Sequence, residues 1–130
     1  MPVEIGMRGC ASAVVAGEDT AQAMGSGLVP VLATPRMIAL MEEAAVNAAQ
    51  SGLLPGETTV GVRLETSHDA ATPVGMKVTA WAEVTAVEGR NITFAVWAED
   101  SVEQIGRGTH QRAVVQTERF LARVQAKLDR

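Results

Sequence analysis

The feature that most constrains this 130-residue sequence is a change of hydrophobic period at Pro55-Gly56. Upstream, Met37, Ile38, Leu40, Met41, Ala44, Ala45 and Ala48 recur at the spacing of one helix face. Thr34-Pro35 precedes them, placing a hydroxyl residue at the expected N-cap and a proline at the first helical position. Gly52 stands where a C-cap glycine belongs. The spacing predicts a helix over 35–51. Downstream the period is two. Val60, Val62 and Leu64 alternate with Thr59, Gly61, Arg63 and Glu65, and Val78, Ala80, Ala82 and Val84 repeat the pattern. Ile92, Phe94, Val96 and Ala98 carry the next strand, and a last one ends in Ala113-Val114-Val115.

Short connections join these strands. Glu88-Gly89-Arg90-Asn91 has the composition of a hairpin turn, and Glu99-Asp100-Ser101 forms a second turn. Residues 69–75 read as a loop. A first strand is expected over 7–16, followed by a short Ala/Met helical segment that stops at Gly25-Ser26-Gly27. Phe120, Val124 and Leu128 give the tail, about 117–129, helical spacing. With no repeat, low-complexity tract or linker, residues 1–130 read as one α+β domain. One antiparallel sheet curling around one long helix buries both patterns economically. The long strand near Met76–Val87 is expected at an exposed sheet edge, which predicts a homodimer or an assembly of dimers.

Composition narrows the function. A formal net charge of −4 gives no broad surface for polyphosphate, so nucleic acid is not expected as a partner. Aromatic residues are 3% of the chain and Tyr is absent, which argues against a base-stacking platform. One cysteine, Cys10, cannot form an internal disulfide, and the N-terminus carries no secretory pattern. No apolar run approaches the roughly 18 residues of a membrane helix. A cytoplasmic protein without membrane attachment is expected. No clustered metal ligands, phosphate loop or nucleophile elbow occurs, so neither a metal nor a cofactor is expected.

Few residues remain that carry chemistry. His68 ends the Val60–Leu64 strand on the even, core-facing parity, where a titratable group borders either a pocket or its own loop. His110 sits among Gly106, Arg107, Gly108 and Thr109 and is expected to face solvent or a subunit interface. On the helix, Glu42 falls at the flank of the apolar stripe with Ile38 and Ala45, whereas Glu43 lies on the solvent face. A carboxylate at that edge serves a site or finds a partner. Thr34 caps the helix, and a hydroxyl there also faces the positive end of the helix dipole. Gly61, Gly106 and Gly108 inside strands mark either bulges or close approach.

The stretches VLATPRMIALMEEAA, GETTVGVRLETSHDAATPVGMKVTAWAEV and GRGTHQR resemble the hotdog-fold thioesterases close to the fluoroacetyl-CoA thioesterase family, over nearly the whole chain up to about Val115. The resemblance implies a hotdog fold, a curved antiparallel sheet wrapped around one long helix. It also implies dimers joined edge to edge, with acyl-CoA sites at the interface. By motif, the catalytic threonine, glutamate and histidine of the family fall on Thr34, Glu42 and His68. Gly61 and Arg112 match positions near the substrate. The implied activity is hydrolysis of a small or short-chain acyl-CoA. The alternatives are a non-catalytic acyl-CoA-binding module, and a hotdog hydratase whose Asp/His pairing is not found here. One stretch departs from the family. Gly25-Ser26-Gly27-Leu28-Val29-Pro30-Val31 lacks the aromatic residues that the resembling enzyme carries in a lid.

Overall fold

The computed structural model describes residues 2–130. Strand β1 (Arg8–Val14) is followed by a short helix α1 (Ala21–Met24) and the long helix α2 (Thr34–Ala49). Strands β2 (Glu57–His68), β3 (Lys77–Glu88), β4 (Asn91–Glu99) and β5 (Gln104–Gln116) come next, and helix α3 (Thr117–Gln125) closes the chain. All pairings are antiparallel, and the sheet order is β1-β3-β4-β5-β2. The last hairpin strands thus fold back so that β2, the first strand after the helix, lies on the far edge.

The alternating strands β3 and β4 behave as their period demands. Val78, Ala80, Ala82 and Val84, with Ile92, Phe94, Val96 and Ala98, are all buried against Met37, Leu40, Met41, Ala44 and Ala48 of α2. Each large side chain of this set contributes about 1.5–3 kcal/mol of burial. The many alanines let the helix lie close to the sheet. At Gly9 of β1, a Cβ would stand 2.5 Å from the Ala44 carbonyl oxygen and 2.3 Å from the Ala48 nitrogen. The helix rests mainly on β1 and β3. Its other flank, with Glu42, is turned toward β2 and β5.

Four sequence expectations change here. Strand β3 is not an edge: it is paired on both sides, by β1 and β4, and the open edges belong to β1 and β2. Strand β2 does not keep one parity. Its register with β5 shifts between Gly61 and Arg63, and the extra residue, Val62, is 57% exposed. Thr59 therefore points inward before the bulge, and Leu64, Thr66 and His68 turn toward the interior after it. Gly52 lies in a 3₁₀ turn after α2 with ordinary negative φ, so it is no left-handed cap. A Cβ there would meet the backbone of Val3 at 2.5 Å, and close approach explains the glycine. Finally, the N-cap of α2 is Ala33, and Thr34 is already helical.

Candidate active site

Thr34 owes its availability to that shift of one residue. As the first helical residue, before Pro35, it makes no capping bond, and its hydroxyl is free to point outward. Its Oγ1 lies 2.7 Å from Nδ1 of His68, the last residue of β2. The sheet, the loop after it and the start of α2 are tied together around this pair. Asp69 and Ala70 donate from their backbone N–H groups to the Ile105 carbonyl, and Leu32 donates to that of Thr72. Thr72 is fully buried and donates its hydroxyl to Asp100 at 2.8 Å. On the other side, Arg36 pairs with Asp19 at 3.0 Å and the Ala33 N–H bonds the Asp19 carbonyl.

His68 has one nitrogen engaged and one free. Its Nε2 is buried yet has no hydrogen-bond partner among the described residues. Burial pushes its pKa down from the ordinary 6.5, while the Ala70 backbone and the Asp69 carboxylate pull it partly back up. A cleft of about 300 Å³ opens beside the pair, lined by Gly27, Val29, Val31, Thr34, His68 and Ala70. A hydroxyl held against an imidazole in a small cleft can deliver or lose a proton at one point.

Glu42 belongs to a second cluster. Eight residues beyond Thr34 on the same helix, it is displaced by about 12 Å of helical rise. Its Oε2 lies 3.8 Å from Nη1 of Arg112. Arg112, on β5, is buried and points inward from the register opposite Gly61. Its Nε donates to the Thr59 hydroxyl at 2.9 Å and its Nη2 to the Thr59 carbonyl at 3.0 Å. Gly61 leaves the room this cluster needs. A Cβ there would be 2.9 Å from Glu42 Oε2 and 3.3 Å from Arg112 Nη1.

Of the five expected site residues, Thr34 and His68 are in direct contact, and Glu42, Gly61 and Arg112 form a separate group. Glu43 is exposed, as the helix face requires. His110 departs from its expectation. It is only 1% exposed, packed on Phe94 with ring centroids 6.1 Å apart, and joined to the Arg112 group. The signal that points inward is its two-residue spacing from Arg112, which puts both on one strand face.

The curved antiparallel sheet around one long helix is the architecture of the hotdog-fold thioesterases. A solved hotdog-like protein from Thermanaerovibrio acidaminovorans superposes with a TM-score of 0.85 at 27% identity, covering 95% of this chain and 91% of that one. A solved structure of the fluoroacetyl-CoA thioesterase FlK superposes with a TM-score of 0.91 at 38% identity and 98% coverage of both chains. The fluoroacetyl-CoA thioesterase of Streptantibioticus cattleyicolor is 47% identical over 97 residues, 75% of this chain and 70% of that protein. A profile of fluoroacetyl-CoA-specific thioesterases matches residues 15–118. The chain belongs to that family, and it is an acyl-CoA thioesterase, a hydrolase of thioesters.

Proposed function

We propose that this thioesterase hydrolyses small acyl-CoA thioesters without a strong preference for fluoroacetyl over acetyl, as a cytoplasmic homodimer. The Thr34–His68 contact carries the reading, because it sets a hydroxyl against a proton acceptor beside a cleft sized for a small acyl group. His68 moves the proton: it takes one from the attacking oxygen and gives one to the departing thiolate. Overall, water divides across the C–S bond to leave an acid and free CoA thiol. The positive end of α2, at Thr34, favours the charge that develops on the carbonyl oxygen. Structures of related thioesterases with acetyl-CoA, and with fluoroacetate and CoA, support the substrate class.

Glu42, with Gly61 and Arg112 beside it, acts on the substrate from across the dimer seam. What supports this is the unpartnered His68 Nε2, the distance between the two groups within one chain, and the unpaired outer edge of the 12-residue strand β2. Such an edge invites pairing with a second copy.

The weak fluorine preference follows from the segment over the cleft. Fluoroacetyl and acetyl differ by one small atom, so selection requires contacts that distinguish their transition states. Residues 25–31 supply no aromatic ring, and Leu28 is 91% exposed. Trp81 and Trp97 stack on each other instead, and Phe94 is in the core. The test is kcat/KM for the two thioesters. A ratio within tenfold is expected; a larger one, above about 1.4 kcal/mol of differential stabilisation, overturns the reading.

A further inference from the structure

Among the described residues, His110 is the one buried titratable side chain that the reaction outlined above does not use. Its two nitrogens have distinct tasks. Nδ1 lies 2.7 Å from the Arg63 carbonyl oxygen, which only accepts, so Nδ1 carries the proton and donates. Nε2 therefore presents a lone pair, and Arg112 Nη1 donates to it at 3.1 Å. The ring itself is held by the face of Phe94. Together with Thr59, which takes the Nε and Nη2 donors, this fixes the guanidinium on two sides. The same Nη1 that His110 holds lies 3.8 Å from Glu42 Oε2. All three groups converge on Gly61, where a Cβ would be 3.4 Å from His110 Cε1.

We propose that His110 is a positioning residue for thioester hydrolysis: its Nε2 lone pair aims Arg112 Nη1 at the Glu42 carboxylate. This rests on the role given to Glu42 above. The imidazole serves because it is a rigid ring with a donor on one side and an acceptor on the other. It bridges a backbone carbonyl at the β2 bulge to a guanidinium on β5. Burial and the adjacent Arg112 charge both hold its pKa down, against the pull of the Arg63 carbonyl and Glu42, so the lone pair persists. A guanidinium left without this acceptor rotates about its remaining bonds to Thr59, and Glu42 loses a fixed partner.

Two isosteric halves of histidine separate this role from a merely structural one. His110→Asn keeps a donor near Nδ1 and loses the acceptor at Nε2. His110→Gln places an amide oxygen near Nε2 and loses the donor to Arg63. We expect His110→Asn to lower kcat by on the order of tenfold or more with little change in KM, the mark of an interaction used in the transition state. His110→Gln should recover most of that loss although it melts earlier, because the Arg63 carbonyl is left without its donor. The Arg112 Nε–H resonance, followed by NMR in the same proteins, should broaden or vanish in His110→Asn and return in His110→Gln. Equal activity in the two variants, or higher activity in His110→Asn, overturns the proposal. The Glu42 reading fails separately: a fully active Glu42→Gln enzyme removes the role of Glu42, whereas an Arg112 resonance unchanged in His110→Asn removes that of His110.

Discussion

The two polar groups of this protein hold a histidine each and treat it in opposite ways. At the start of α2, His68 bonds Thr34 through Nδ1 and leaves Nε2 buried and unfilled. In the middle of the sheet, His110 has both nitrogens occupied, one by the Arg63 carbonyl and one by Arg112. An unfilled buried nitrogen costs free energy, on the order of 1–3 kcal/mol, and persists where something else is to fill it. A saturated cluster holds its geometry whether or not substrate is present. The charges around the rings follow the same division. Burial lowers the pKa of both rings; at His68 the Ala70 backbone and the Asp69 carboxylate oppose it, whereas at His110 the Arg112 charge adds to it. In the reading proposed above, one histidine reacts and the other holds.

That contrast can be broken by mutation. His68→Ala is expected to lower kcat by on the order of 10² to 10⁴. Glu42→Ala is expected to be comparably harmful. If the two residues serve one site from different copies, mixing the two inactive proteins restores roughly a quarter of the wild-type rate, because half of the random dimers carry one intact site. No recovery after subunit exchange, or sedimentation as a 13.6 kDa monomer, breaks the shared-site reading.

A smaller effect is expected at Gly61. An alanine there sets a methyl 2.9 Å from Glu42 Oε2, so the flexible carboxylate yields and the backbone need not. Gly61→Ala should lower kcat on the order of tenfold, as displaced catalytic groups do, with little change in Tm. Glu43→Ala, on the exposed face, should leave both unchanged; a loss equal to that at Glu42 refutes the assignment of helix faces.

At Thr34, activity and stability should separate. Loss of a true N-cap costs about 0.5–2 kcal/mol. Because Ala33 is the cap, Thr34→Ala should stay within about 0.5 kcal/mol of wild type in a denaturant titration while losing activity. Thr34→Ser, which keeps the hydroxyl against His68, should retain most of it.

The smallest effect is on pH dependence. His68 as a base works when neutral, and its lowered pKa puts the acid limb of kcat/KM below 6.5. Both histidines have folded pKa values below the unfolded one, so the unfolded chain binds more protons over this interval. Their contribution to stability is complete above 6.5 and is lost as pH falls toward the depressed values. A melting temperature that rises as pH falls through this range contradicts the assignment.

What the sequence determined by itself is whatever depends on local periodicity. The inward faces of β3 and β4 and the Met/Ala face of α2 repeat over many residues, so alternation alone identified them. The separation of Glu42 from Glu43 has the same origin, since 100° per residue is a property of any helix. The motif around LATP and SHDAATP marked Thr34 and His68, and the fold brought them together. Tertiary structure decided the rest because long-range partners decided it. The β2 bulge is visible only in the register with β5; it moved Val62 outward and set Thr59 inward, while Thr66 and His68 keep the even, inward parity that alternation predicts. Strand order made β3 interior and left β2 open, which no reading of single strands supplies. Thr34 in isolation is the better cap, yet Ala33, tied through its N–H to the Asp19 carbonyl, occupies that place. His110, among glycines and polar residues, was buried by the company of Phe94, Arg63 and Arg112, three side chains or carbonyls brought from other strands or another position of its own.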